Sequence, residues 1–537
     1  MRKAAGYCWF LAFSLAFCGC SRKDDRGSTE VGGPGSAGAT GTASSATSGG
    51  NGNPGIAGAV SSAAGSLGKA GAGGGTGDID AEIAWIGQEL LGRPTAHSIT
   101  VKALAAQAIE SYFEYGTSSG SYSMATAPRA FSDGAIETVL EGLSSNARYY
   151  YRIRYRPVGS TGAFAAGEEH TFPTQRAPTE TFAFAVQSDS HLGNSSFNHP
   201  LLYSTTMENI AKEQPDFVFD LGDAVDLYED VETASTVGAK YLDQRAYFAI
   251  PGHSSAVFLV IGNHEREEGW NLDDFGSDVE ASLPVLSANA RKRYFANPVP
   301  DAFYSGNPDQ LEAIDGDHLR GDYYAFEWGD ALFVAIDPYW YTMTKPYSGS
   351  PAGERDDEVV GSRWDWTLGE QQYRWLKETL ENSSARFKFV FSHQEVGGIY
   401  DYGRGGALGA RFCEWGGDDP DSTAYSFDTN RPGWGEPIHQ LFVRTQVTAF
   451  FHGHDHLYAK EVLDGVVYQE VPMAANANYN LGVDSENGYP SYYEGDMIAN
   501  SGHLLVTVAP TGVTVEYVRS YLPGHGENGE VAAAYTL

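Results

Sequence analysis

The sequence predicts an α/β body of layered α/β/β/α type behind a small all-β sandwich, and three observations carry that reading. After Pro178, short apolar runs alternate with amphipathic ones, the pattern of strands and helices stacked in layers. From about 78 to 177, β-rich runs follow one another with only turn residues between them. Five of the later apolar runs end in clusters of Asp, Asn and His, which lines one edge of a sheet with polar side chains.

The chain of 537 residues is long enough for two or three domains. It opens MRKAAGYCWFLAFSLAFCGCSRKDD: two cations, an apolar run from Ala4 to Phe17, then small residues. That is the layout of a secretory signal peptide over residues 1–19, too short for a membrane span. The FCGC ending resembles a bacterial lipobox, with Gly19 before the cut and Cys20 as the residue to be acylated. Phe17 stands where that motif has Leu, Val or Ile, so plain cleavage and secretion is the alternative. Contact with a membrane is expected only through this lipid, in the cell envelope. Residues 20–77 are nearly all Gly, Ser, Ala and Thr. With too little apolar surface to offset ordering entropy, they read as a disordered tether with a reach of roughly 40 Å.

Three of the four cysteines, Cys8, Cys18 and Cys20, fall in the leader and leave Cys413 alone, so no intramolecular disulfide framework is expected. A net charge of -34 argues against nucleic acid as a partner, because phosphate contacts need Lys and Arg.

In the sandwich the strands are SITVKAL, AIESYFEYG, AIETVLEGL, RYYYRIRYRP and EHTFPT. The stretch GLSSNARYYYRIR resembles the tyrosine-corner strand of fibronectin type III modules, with Leu143, Tyr149 and Tyr151 at the matching places and Ser145 where those modules have Pro. Beyond Pro178, TFAFAVQ runs into Ser188, Asp189, Ser190 and His191, and DFVFDL into Gly222, Asp223 and, further on, Asp226. AVFLVI ends in Gly262, Asn263, His264 and Glu265; FKFVF in Ser392, His393 and Gln394; VTAFF in His452, Gly453 and His454. ALFVAI is a sixth strand, LLYSTTMENIAKEQP and LGEQQYRWLKETLENS are helices, and HLLVTVAPTGVTVEYVRSYL is a hairpin completing a sheet. Strand ends on one edge converge on a crevice, the common place for a ligand.

These clusters, D-x-H, G-D-x-x-D, G-N-H-E, a later lone His and G-H-x-H, resemble in order those of the calcineurin-like metallophosphoesterase family over residues 180 to 456. The resemblance implies a centre of two divalent or trivalent ions. Asp189, His191, Asp223 and His454 would hold one; Asp223, Asn263, His393 and His452 the other, with Asp223 bridging. Imidazole and carboxylate suit Fe, Zn or Mn, and a water bridging two such ions becomes hydroxide near neutral pH. His264 is then donor or general acid at the phosphate, oriented by Asp226, while Glu265 steadies the loop and His456 has a supporting place.

The implied activity is hydrolysis of a phosphate ester, first a phosphomonoester. Phosphodiester or nucleotide hydrolysis on the same centre is the alternative, and a non-catalytic surface binding module a second. The arginine that follows G-D-x-x-D in the serine/threonine phosphatase branch is Leu227 here, leaving Arg245, Arg266, Arg404 and Arg411 as candidates for its role. Aromatic-rich insertions at about 266–322, 339–366 and 397–436 flank the crevice, with Tyr339 and Trp340 nearest it and the glycine-rich GRGGALG in the third. Purple acid phosphatases share the sandwich-first layout, but His191 and Asp226 stand where their motifs have Gly and the iron-binding Tyr. Iron-loaded protein should therefore show no tyrosinate charge-transfer band; a visible band abolished by Tyr228→Phe would contradict this.

Overall fold

The computed structural model describes residues 83–228, 231–272, 278–346, 361–399, 403–481 and 490–537. The 1–19 leader, Cys20 and the 20–77 tether lie outside the described residues. Among the described residues no helix is long and apolar enough to cross a membrane.

The apolar runs after Pro178 are strands covered on both faces, which is why they read as continuous rather than alternating. One sheet has the order Ala256–Leu259, Phe217–Asp220, Phe182–Gln187, Gly502–Ala509, Gly512–Arg519, Val531–Thr536. Its first three strands are parallel, and the C-terminal hairpin adds on antiparallel. The second sheet centres on the parallel strands Ala331–Ala335, Phe387–Phe391, Ala449–His452 and Val466–Glu470.

Between the sheets lies a layer of phenylalanine. Phe184, Phe217, Phe219 and Phe258 from one side meet Phe326, Phe333, Phe389, Phe391 and Phe451 from the other. Phe219 stacks on Phe391 with ring centroids 4.1 Å apart, and Phe184 meets Phe333 edge-on at 5.1 Å. Residues of opposite parity face outward to the helices. Ala185, Val218 and Val257 pack under Pro200–Glu213 and Ala234–Gly252 through Tyr203, Met207, Tyr241 and Phe248. Val334, Val390 and Phe450 pack under Gly369–Asn382 and Ile438–Thr445 through Leu376, Leu380, Leu441 and Phe442. The result is the expected α/β/β/α order.

Two helices had no legible stripe in the sequence, Ala234–Gly252 and Leu283–Tyr294. The first buries Gln244 and Arg245 beside Val237 and Phe248, and the second buries Ser287 and Arg291. Polar residues on the inner face break the apolar period on which a helix reading depends.

Before this body stand two small sheets. Trp85–Gly92, Ser98–Ala105 and Ala135–Glu141 form one, and the other is built on Ile109–Gly116 and Arg148–Pro157. The Tyr149 hydroxyl accepts the Ser144 N–H at 2.9 Å while its ring stacks on Phe172. The sheets are tied to the layered body by buried polar contacts. Arg245, 1% exposed, donates to the carbonyls of Tyr294, Gln88 and Lys102 at 2.6, 2.7 and 2.8 Å. Tyr151 donates to the His253 carbonyl at 2.8 Å, and Tyr304 to that of Pro94. Asp78–Leu537 is accordingly one compact unit.

Arg245 is thus a structural rivet and is removed from the substrate-binding candidates. Arg245→Met keeps the stem but leaves three carbonyls without this donor, and should cost at least about 3 kcal/mol, since each unpaired buried acceptor costs about 1–3 kcal/mol. A thermal melt would show this as a lowered Tm of the whole unit.

Candidate metal centre

Within each sheet, neighbouring strand ends are stitched together main chain to main chain. The Asp189 N–H donates to the Gly222 carbonyl at 3.0 Å, and that of Gly453 to His393 at 2.9 Å. The Glu265 carboxylate gathers the N–H groups of Gly262, Asp223 and Ala224 at 2.8, 2.9 and 2.7 Å, the loop-steadying place expected for it. Asp189, His191, Asp223, His454 and His456 all have left-handed backbone, with φ of 52°, 43°, 51°, 80° and 61°. Such conformations cost non-glycine residues roughly 1–3 kcal/mol each and gather where function over-rules local preference.

Three groups of side chains bring ligand atoms within 4.8 Å of one another: Asp189, His191 and His456; His191, Asp223 and His264; Asp223, His393 and His454. His191 Nε2 lies 3.2 Å from His456 Nε2, and Asp189 Oδ1 lies 3.7 and 3.5 Å from these two nitrogens. His393 Nε2 lies 3.1 Å from His454 Nδ1 and 3.2 Å from Asp223 Oδ2.

The donor set fits cations. His191 has its Nδ1 on Asp226 Oδ1 at 2.7 Å and His393 its Nδ1 on the Leu221 carbonyl at 2.9 Å, contacts that leave Nε2 of each ring as the lone-pair nitrogen facing the cluster. Asp189 Oδ1 and Asn263 Oδ1 are buried acceptors with no hydrogen-bond donor, a costly state unless a cation faces them.

The grouping differs from the assignment read from FFHGHDHL. His456, given only a supporting place, joins Asp189 and His191, and His454 belongs with Asp223 and His393 rather than with Asp189. His452 is in none of the three groups: its Nδ1 lies 2.7 Å from Glu470 Oε2 and its ring stacks on Phe450. The G-H-x-H frame therefore runs from 453 to 456. The physical marker is Gly453, where a Cβ would stand 2.1 Å from Ser188 Oγ and 2.5 Å from Asp189 Oδ2. Only glycine lets this loop pass the end of the opposite sheet, and the histidine after it is the first of the pair. That glycine was the available signal.

Asp226 is shared. Its Oδ1 is 3.3 Å from His264 Nδ1 as well as 2.7 Å from His191 Nδ1, so it orients His191 at least as closely as its expected partner. The groups open on a cavity of about 290 Å³ whose wall includes Asn263, His264, Arg266, Trp270, Lys345 and Arg404. Burial lowers His264 to about 4, keeping the imidazole neutral. Arg404 donates to the His454 carbonyl and Asp455 Oδ1, both at 2.8 Å. Its GRGGALG loop is pinned by N–H bonds from Gly405 to Asp455 and from Ala407 to Glu461. Arg411 is outside the cavity wall, paired with Asp418. Tyr339 is fully buried and bonded to Gln394, and Trp340 packs under Arg320, so the wall's aromatics are Phe197 and Trp270 instead. Lys345 was not singled out in the sequence.

Groups of carboxylate and imidazole, two of them sharing Asp223, beside an open cavity fit the metal centre of a hydrolase. Residues 182–458, more than half of the chain, match the family described as Calcineurin-like phosphoesterase, and the chain belongs to that family. It is 23% identical over 282 residues to alkaline phosphatase D of Bacillus subtilis (strain 168), a match covering 48% of this chain and 44% of that protein. The matched segment thus spans less than half of that relative. Among solved structures, one of PhoD is similar with a TM-score of 0.59 at 16% identity, covering 84% of this chain and 89% of that one. A purple acid phosphatase from yellow lupin (Lupinus luteus) seeds gives 0.53 at 14% identity, over 83% of this chain and 73% of that one. At such identities the likeness is one of fold.

The register given by these groups predicts that His456→Ala purifies with about one metal ion fewer per chain than wild type, whereas His452→Ala keeps the full complement. Elemental analysis of the purified proteins decides between the two frames.

Proposed function

We propose that the protein is a di-metal phosphomonoesterase. Asp189, His191, Asp223 and His456 would hold one ion and Asp223, Asn263, His393 and His454 the other. The supporting observation is the position of Asp223, whose carboxylate belongs to two of the three ligand groups. These nitrogen and oxygen donors suit Fe, Zn or Mn. Bound there, two such ions would acidify a shared water and take up charge on the phosphoryl oxygens.

The chain's own contribution is orientation and proton handling. His264 is 28% exposed at the cavity, and its main-chain N–H is fixed to Asp223 Oδ1 at 2.8 Å. Its ring would donate to the phosphate or the leaving-group oxygen, and an anionic phosphoryl group beside it raises its proton affinity from the low value that burial sets. Asp226 holds His191 in its metal-facing tautomer and stabilises the charged form of His264. Glu265, through its three N–H contacts, keeps Asp223 in place.

In the same proposal residues 1–19 are an export signal, Cys20 carries a lipid and 20–77 is a tether. Residues 78–177 are a fibronectin type III-like module, and the Tyr149-to-Ser144 contact supports this last point.

The full chain, purified with its metals, should hydrolyse p-nitrophenyl phosphate faster than bis(p-nitrophenyl) phosphate. His264→Ala should lower kcat by about 10²–10⁴-fold, the usual share of a general acid or donor. Asp223→Asn should lose both metal and activity. Undiminished hydrolysis by either variant would overturn the assignment, and faster diester cleavage would transfer it to phosphodiesters.

A further inference from the structure

We infer that Arg266 is the phosphate-recognising cation of this site, filling in space the role that position 227 cannot fill in sequence; the inference rests on the hydrolase reading above. Leu227 has its side chain fully buried in the layer beneath the helices, with Val225, Val237 and Tyr241. No side chain at that position can reach the cavity while the core stays closed. The main chain of Leu227 is nonetheless at the site. Its N–H donates to the His264 carbonyl at 3.0 Å, and its own carbonyl accepts Arg266 Nε–H at 3.2 Å. The two loops are zipped together, and the zip sets a guanidinium against the main chain of the residue that would have carried one.

The local conformation explains the placement. Asn263–Glu265 is a single 3₁₀ turn, and Arg266 closes it in left-handed conformation at φ 58°, its N–H returning to the Asn263 carbonyl at 3.2 Å. The chain therefore reverses directly after the Asn263–His264 pair, and Arg266 shares the cavity wall with both. Glu268 Oε1, 3.6 Å from Nη1, is its counter-charge in the same cavity wall, and it leaves the guanidinium as the group there that can meet an anion.

The other two cations of the wall are differently disposed. Arg404 binds through Nη1 to the His454 carbonyl and to Asp455, which makes it a clasp on the loop carrying His454 and His456. Lys345 offers a compact point charge without the planar fork that matches two phosphoryl oxygens. A guanidinium fork beside His264 selects a terminal phosphoryl group with its non-bridging oxygens unsubstituted, that is, a dianionic monoester over a singly charged diester.

The test uses the full chain purified with its metals, comparing wild type, Arg266→Ala, Arg266→Lys and Arg411→Ala. Inorganic phosphate is titrated calorimetrically and as a competitive inhibitor, and KM and kcat are measured for the mono- and bis-p-nitrophenyl esters. Arg266→Ala should weaken phosphate binding and raise the monoester KM by about 10–100-fold, the size of a lost charge-assisted contact, with a smaller change in kcat. Diester KM should move less, and Arg266→Lys should recover part of the loss. Arg411→Ala, on its exposed ion pair with Asp418, should match wild type. Phosphate affinity unchanged in Arg266→Ala with metal content retained overturns the inference. Should Arg266→Ala not fold, Arg266→Lys decides: wild-type phosphate affinity and ester preference in it would equally overturn the fork. A wild type that hydrolyses neither ester fells the hydrolase reading, and this inference with it; an active wild type with Arg266-independent phosphate binding fells this inference alone.

Discussion

The structure depends on a buried negative charge placed where two sheets meet. Asp223 is 1% exposed, with imidazole nitrogens of His191, His264 and His393 lying 3.8, 3.8 and 3.2 Å from its Oδ2. Against the upward push of burial, the neighbouring imidazoles, His393 first among them, hold this carboxyl below the usual carboxylate range. An ionised carboxylate so placed is tolerable only with positive partners at fixed positions. The phenylalanine layer fixes the spacing of the sheets, the outer helices hold them against it, and Glu265 pins the loop. Each of these can be traced to keeping that one carboxylate matched.

Much of this was legible in the sequence because it is written as transitions. TFAFAVQ, DFVFDL, AVFLVI, FKFVF and VTAFF are apolar on both faces and end abruptly in polar residues, so strand, strand end and site residues are marked together. What was not legible depends on clearance between segments far apart in the chain. FFHGHDHL contains two overlapping ways to read a pair of histidines, and the choice is made by the side chain of Ser188, some 265 residues earlier, which admits only glycine at 453. Arg245 stood among the candidates for phosphate binding, and Arg291 was not singled out, because nothing in the sequence records that carbonyls and Glu267 await them in the interior. Trp270 and Lys345 lie in or beside insertions whose course over the site has no local signature.

The relation to the purple acid phosphatase fold is similarly one of shared frame and altered contents. The layers correspond over most of both chains, while the motif resemblance in the sequence implies Gly and Tyr in that group where this chain has His191 and Asp226. The two substitutions act as a unit here, since Asp226 bonds the Nδ1 of His191 at 2.7 Å. Tyr228, nearby in sequence, is half exposed, its hydroxyl at the outer side of Asp226.

The left-handed backbone at five residues of the centre has a consequence for how this protein can change. At those positions almost any route to a more relaxed main chain, above all a glycine, removes a side chain that faces the cluster. Thermal robustness and chemistry are therefore opposed at the same few residues. A lineage selected only to withstand heat would find its easiest gains there, and would keep the layered body long after it had stopped turning anything over.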